Sequence, residues 1–313
     1  MTVTVAAVQA TPVFLDRDGS TAKACSLIKQ AATNDARLIV FPEAFIPTYP
    51  DWVWRVPAWR DGPFVQRLYD QAVAVPGPAT AQLGDAAREA GAVVAIGVNE
   101  IDGGTLYNTL LYFDADGSLA GRHRKLMPTG GERTVWGYGD GSTLDVVRTE
   151  FGVVGGLICW ENYMPLARAA MYAQGVDIYL APTWDNSDRW IATLRHIAME
   201  GGVYVLGVAS LLRGSDVPAD LRGDIYGGDD DWMSRGQTTI VAPGGDLLAG
   251  PLLEQEGTLY AAIDVARARA QRRMFDPVGH YARSDVFTLT VNTARNQVAR
   301  FDERSSGPSD RIS

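Results

Sequence analysis

Apolar runs with little polar alternation recur along this chain, and each has the length of a strand buried on both faces. They fall at residues 3–9, 38–42 and 93–99, and again at Phe151–Cys159, Asp177–Ala181 and Val203–Ala209. Segments of helical period lie between them, at about 20–33 and 79–90 in the first half and about 165–174 and 188–200 in the second. Each half then turns to hairpins. Ile101–Thr105 and Asp114–Gly117 are the turns flanking the strand Leu106–Phe113, and Pro243–Asp246 joins Thr238–Ala242 to Leu247–Leu253. No residue-level repeat is visible, yet the order of elements occurs twice. That order is consistent with two sheets packed on each other with helices outside, a four-layer α-β-β-α sandwich of two pseudo-symmetric halves in the α/β class.

Two segments fit the pattern poorly. Pro47–Trp59 is aromatic and broken by prolines just after Glu43, and it reads as a pocket wall or lid. Leu212–Asp231 is polar and Gly-rich and reads as a solvated loop without a site. Arg304–Ser313 is expected to fray.

Composition narrows the function classes. Across 313 residues the chain is 46% hydrophobic and 21% charged, an ordinary globule with ample core. Its 28 basic against 37 acidic residues give −9 with no basic stripe, which argues against nucleic acid as a partner. No apolar span approaches 20 residues, so no membrane span is expected. With a strand expected at Thr2–Val8, no signal peptide is expected, and a reducing cytoplasm suits a free thiol. Of the two cysteines, Cys25 shares a helical face with Ile28 and Ala32 and reads as core. His123, His196 and His280 are scattered, so neither a metal site nor a cofactor is expected.

The candidate chemistry lies at strand ends. Cys159 closes the run Phe151–Gly–Val–Val–Gly–Gly–Leu–Ile–Cys159, and Pro165 soon opens a helix. A thiol on such a strand-to-helix turn faces a cleft, with the Trp160 N–H available to an anion. Glu43 follows the run Arg37–Leu–Ile–Val–Phe–Pro42, at the C-terminal strand end where open α/β sheets place ligands. Lys125 ends Arg122–His–Arg–Lys125, and Glu132 follows it by seven residues. Singly, each has a plain structural reading; a carboxylate, a lysine and a cysteine at three strand ends form a rarer set.

At these residues the chain resembles the nitrilase, or carbon–nitrogen hydrolase, superfamily, and within it the nitrilase branch. The resemblance is carried by Phe41–Pro–Glu43–Ala–Phe45, by His123–Arg–Lys125–Leu–Met–Pro–Thr129 with its extension Glu132–Gly141, and by Gly155–Gly–Leu–Ile–Cys159–Trp–Glu–Asn–Tyr–Met–Pro–Leu166. It runs from about residue 3 to Arg283. It implies the four-layer fold, a hydrolase domain over 1–285 with a tail over 286–313, and a Glu43–Lys125–Cys159 catalytic set. Cys159 would attack an organic nitrile, and Glu43 would act as general base. Lys125 and the Trp160 N–H would stabilise the developing anion, with Glu132 orienting lysine and substrate. The expected course is thioimidate, loss of ammonia, acyl thioester and acid. Tyr49, Trp54, Glu161, Asn162 and Trp184 are the candidate pocket residues; Asn162 stands where many family members carry His. The resemblance further implies dimers through the helices at 165–174 and 188–200, and longer spirals built with C-terminal segments such as Phe275–Phe287. Two readings stay open beside the nitrilase: an amidase of the same superfamily, against which Trp160–Glu161 and Trp136–Gly141 speak, and a non-catalytic assembly protein.

Overall fold

Strands that are apolar on both faces need cover on both sides, and here two sheets cover each other while helices cover their backs. The computed structural model describes residues 2–223, 225–297 and 299. The first half contains β1 (Thr2–Gln9), α1 (Arg17–Ala32), β2 (Ala36–Val40), α2 (Gly62–Asp70), β3 (Val73–Ala74), α3 (Pro78–Ala90), β4 (Val93–Asp102), β5 (Thr105–Phe113) and β6 (Leu119–Arg124). The second contains β7 (Val147–Thr149), β8 (Gly152–Gly156), α4 (Pro165–Ala173), β9 (Ile178–Leu180), α5 (Asp188–Gly201), β10 (Tyr204–Gly207), β11 (Leu211–Arg213), α6 (Ala219–Arg222), β12 (Trp232–Val241) and β13 (Leu247–Leu253). β14 (Gly257–Asp264) and α7 (Val265–Gln271) follow.

One sheet runs β14-β1-β2-β4-β5-β6, with β3 beside β4. The other runs β7-β8-β9-β10-β12, with β11 and β13 both paired to β12. Each has three parallel strands, β1-β2-β4 and β8-β9-β10, followed by an antiparallel hairpin. Each begins on an antiparallel edge strand, β14 against β1 and β7 against β8. The halves are therefore related strand by strand, as the order of elements predicts.

Period-2 alternation builds the layers. Val5, Ala7, Leu38 and Val40 face between the sheets, where they meet Val154, Ile178, Leu180 and Leu206. Ala6, Val8, Ile39 and Phe41 face the other way, onto Ala24 and Ile28 of α1 and Leu83 and Ala87 of α3. Across the second sheet, Tyr179 and Val205 meet Met171 of α4 and Trp190 and Leu194 of α5. Truncating one of these Leu, Ile or Met side chains to Ala costs about 2–5 kcal/mol.

The observed elements differ from the expected ones mostly by a few residues at their ends. The larger differences come from tertiary contact. Leu212–Asp231 is not a plain solvated loop: it holds β11 and α6, and Leu212, Val217, Leu221 and Tyr226 are buried. These side chains pack with Phe14, Trp52 and Phe64, so two irregular segments bury each other's apolar residues. Cys25 is half-buried between α1 and the Gln82 carbonyl rather than sealed in the core. β14 completes the first sheet from the far end of the chain, a pairing no local pattern announces. Arg304–Ser313 lies outside the described residues.

Candidate active site

Each candidate side chain sits where backbone geometry ends a strand. Past β2, Pro42 has no N–H to continue the ladder. Ala44 then takes a left-handed φ of 50° and turns the chain. Gly97 of β4 lets this turn pack close, since a Cβ there would collide with Pro42 O and Ala44 N. Past β8, Gly156 plays the same part against Leu180 O, and Cys159 itself sits at φ 52°. Such a conformation costs a non-Gly residue about 1–3 kcal/mol and persists only where the surroundings impose it. The Cys159 N–H donates to Pro182 O at 2.8 Å, pinning the turn to the neighbouring strand end. Past β6, the Lys125 N–H donates to Asn108 O and the Lys125 carbonyl accepts from Gly139 N–H, both at 2.8 Å.

These ends converge. Lys125 Nζ donates to Glu43 Oε1 at 2.8 Å and to Glu132 Oε2 at 2.7 Å, and all three side chains are buried. An ammonium has three N–H groups, so one remains for another acceptor. Glu43 Oε1 also accepts from Asn108 Nδ2, and its Oε2 accepts from the Trp184 N–H, each at 2.7 Å. Glu132 Oε2 accepts the Thr129 N–H, and its Oε1 accepts the Tyr49 hydroxyl at 2.7 Å. Trp54 Nε1 in turn donates to Tyr49 Oη at 3.0 Å. The Thr183 hydroxyl donates to Cys159 Sγ at 3.1 Å and accepts from the Asp185 N–H.

The electrostatics follow from one ammonium facing two carboxylates away from water. Burial pushes the Glu43 carboxyl above the ordinary range; Lys125 pulls it down, while Glu132 raises it further. Burial works against the Lys125 charge, but Glu43, a Cys159 thiolate and Glu132 outweigh it, so the lysine stays an ammonium beyond its usual value. Burial raises the Cys159 thiol strongly, Glu43 adds to this, and Lys125 only partly opposes it. Loss of the Cys159 proton is therefore disfavoured until a base takes it.

A cavity of about 730 Å³ opens above this cluster, with Cys159, Glu132, Tyr49, Trp54, Trp160 and Trp184 among its lining. Tyr49 and Trp184 stack with centroids 4.4 Å apart and planes 7° apart. Trp160 is half-exposed and donates to Asp185 Oδ2. Its N–H lies in the first turn of the short helix Cys159–Tyr163, where N–H groups have no acceptor within the helix. The structure thus brings Glu43, Lys125, Glu132 and Cys159 together and places Tyr49, Trp54 and Trp184 on the cavity wall.

Glu161 and Asn162 are placed elsewhere. Both are fully buried behind the turn rather than facing the cavity. Asn162 Nδ2 donates to Leu157 O and Cys159 O, and its Oδ1 accepts from Tyr179 Oη. Glu161 accepts from Ile158 N and from His123. Polar residues just after a nucleophile read as pocket residues, but the tight turn rotates these two inward. Sequence reasoning also passed over Asn108, Thr183 and His123. Asn108 left a faint trace as an amide inside the apolar strand Leu106–Phe113.

The carbon–nitrogen hydrolase family profile matches residues 4–273. An aliphatic nitrilase of Sinorhizobium fredii (strain HH103) is 48% identical over 297 residues, covering 92% of this chain and 94% of that protein. A bifunctional nitrilase/nitrile hydratase of Lupinus angustifolius is 40% identical over 316 residues, covering 97% and 90%. Among solved structures, a carbon–nitrogen hydrolase from Helicobacter pylori G27 superposes with a TM-score of 0.72 at 22% identity, covering 91% of this chain and 97% of that one, a likeness of fold.

Proposed function

The chain belongs to the carbon–nitrogen hydrolase family, and from that premise we propose that it is a nitrilase, converting an organic nitrile and two waters to a carboxylic acid and ammonia. The observation that carries this reading is a thiol on the wall of an aromatic-lined cavity, with Glu132 in the same wall bound to the buried Lys125, and Lys125 bound in turn to Glu43. Relatives named as nitrilases, at 40–48% identity over nearly the whole chain, support it.

Cys159 Sγ attacks the nitrile carbon as Glu43 takes the thiol proton. Negative charge grows on the nitrile nitrogen and is met by the third Lys125 N–H and the Trp160 N–H. Protonation of that nitrogen gives the thioimidate. Glu43 then activates a water, which adds to the carbon; the nitrogen leaves as ammonia and an acyl thioester remains. A second water, activated in the same way, releases the acid and returns the proton to Cys159. A raised Glu43 pKa suits these repeated transfers, because the base gives its proton back as readily as it takes it. Glu132 fixes the lysine, and Tyr49 and Trp54 fix Glu132.

In this reading residues 1–285 form the hydrolase domain and 286–313 a tail. Self-association uses the outer faces of α4 and α5, where Leu166 and Met199 are exposed, together with Phe275–Phe287. The enzyme acts in the cytoplasm; no helix among the described residues is long and apolar enough to cross a membrane. Ammonia release from matched panels of nitriles and carboxamides tests the activity. Turnover of nitriles with mainly acid as product is expected. Turnover of carboxamides alone would make the protein an amidase, and none with either would leave a non-catalytic assembly protein.

A further inference from the structure

We propose that His123 and Glu161 form a buried imidazolium–carboxylate clamp that holds Lys125 and Cys159 in register; the functional part of this inference rests on the nitrilase reading. His123 lies two residues before Lys125 on β6, and Glu161 lies two residues after Cys159. His123 Nδ1 is 3.1 Å from Thr143 O, and its Nε2 is 3.1 and 3.3 Å from the two Glu161 oxygens. A carbonyl can only accept, so Nδ1 carries a proton. The Glu161 oxygens also accept, since Oε1 takes the Leu126 N–H and Oε2 takes the Ile158 N–H at 2.8 Å. With each of its oxygens already accepting a backbone N–H, the carboxylate faces Nε2 as an acceptor, so Nε2 carries a proton as well.

One carboxylate therefore binds the backbone immediately after Lys125 and immediately before Cys159, and the imidazolium neutralises it. Both side chains are buried, and neither reaches the cavity. The other titratable groups near the pair are Tyr112 of β5 and Tyr179 of β9, both phenols kept neutral by burial. Burial alone would discharge His123, yet Glu161 and the Thr143 carbonyl hold its pKa above the ordinary histidine value. An apolar pair of similar volume would be at least as stable, so the pair is not explained by stability alone. Its geometric effect is to tie a strand end of one sheet to the nucleophile turn of the other. His123 and Glu161 are positioning residues.

The first test needs no nitrile. The chain has three histidines, so a ¹⁵N-histidine spectrum of the wild-type protein, assigned with His123→Gln, resolves the His123 ring. Both of its nitrogens should stay protonated as pH rises past the range where an ordinary histidine loses its charge; a His123 ring that is neutral there would overturn the clamp. The second test uses His123→Gln and Glu161→Gln. Each should lower kcat by about 100-fold, with KM nearly unchanged, and slow iodoacetamide labelling of Cys159, because misplacement of reacting groups costs about that much. The double variant should lose little more than either single one. Because His123 is held above its usual value, the wild type should lose kcat as pH rises through that raised pKa, a limb absent from His123→Gln. Wild-type kcat and labelling in both variants would refute the positioning role. Should the variants not fold, the wild-type spectrum still decides. Should no nitrile be hydrolysed, spectrum and labelling separate failure of the clamp from failure of the nitrilase reading.

Discussion

Phe41–Pro42–Glu43 leaves β2 of the first sheet, and Ala181–Pro182–Thr183 leaves β9 of the second, at equivalent places in the two halves. The first backbone bond past each strand matches. Phe41 N–H donates to Ala95 O of β4 at 2.8 Å, and Ala181 N–H donates to Leu206 O of β10 at 2.9 Å. One turn carries a carboxylate bound to Lys125, the other a hydroxyl bound to Cys159 Sγ. The first half supplies the charges of the buried cluster: Glu43, Lys125 and Glu132. The second supplies the thiol and neutral donors: Thr183, the Trp184 N–H and the Trp160 N–H. The contrast teaches that a duplicated scaffold aims two turns at one point and leaves their chemistry free. The charges of this cluster need partners, and Glu43, Lys125 and Glu132 come from one half, where each finds another. The halves are then stitched by the Trp184 N–H on Glu43 Oε2 and the Ser210 hydroxyl on Glu43 O.

That contrast can be broken from either side. Cys159→Ala, in the neutral half, should remove about 10⁶-fold of turnover while melting and circular dichroism stay close to wild type. Residual turnover near wild type would remove the nucleophile from the second sheet. Glu43→Gln keeps a carbonyl oxygen for Lys125 and Asn108 but sets an NH2 where Oε2 takes the Trp184 N–H, and it accepts no proton. Turnover should fall by about 10⁴-fold, and an activated substrate should leave an acyl or thioimidate adduct on Cys159, read as an intact-mass shift. In the wild type, kcat/KM should drop as pH falls through the Glu43 pKa, because the base must be ionised. Since burial raises that pKa, the acid limb should lie above the ordinary carboxylate value of 4.5. An adduct that builds up with Glu132→Gln and not with Glu43→Gln would exchange the two glutamates.

Smaller changes sharpen the comparison. Lys125→Arg keeps the charge and replaces a compact ammonium with a planar fork that cannot sit between Glu43 and Glu132. Steady-state rates should fall by about 10²–10³-fold, near those of Lys125→Ala. Thr183→Val removes the hydroxyl from the position matching Glu43. A loss of about 10-fold in kcat, restored by Thr183→Ser, would mark a neutral donor to sulfur; a loss as large as that of Glu43→Gln would make the two turns chemical equals. Tyr49→Phe should change least, about 3- to 5-fold in kcat/KM, since it unties only the Trp54–Tyr49–Glu132 chain and leaves Lys125 bound.

Local pattern was enough to find the three strand ends. An apolar run stopped by Pro42 and a Gly-rich run stopped at Cys159 are readable because β-strands bury alternate faces and break where the backbone cannot continue. The doubled order of elements foreshadowed the sandwich for the same reason. Glu43, Lys125 and Cys159 were therefore legible as candidates one at a time. Their meeting was not, because it depends on contacts across 82 residues for Lys125 with Glu43 and 141 for Trp184 with Glu43. Nor could the sequence choose between inward and outward for Glu161, Asn162 or His123. A polar residue on a turn reads the same whether it lines a cavity or caps backbone N–H groups behind it. Only the packing of the second sheet on the first decides, because it removes water from one side of the turn and makes every buried donor there find an acceptor.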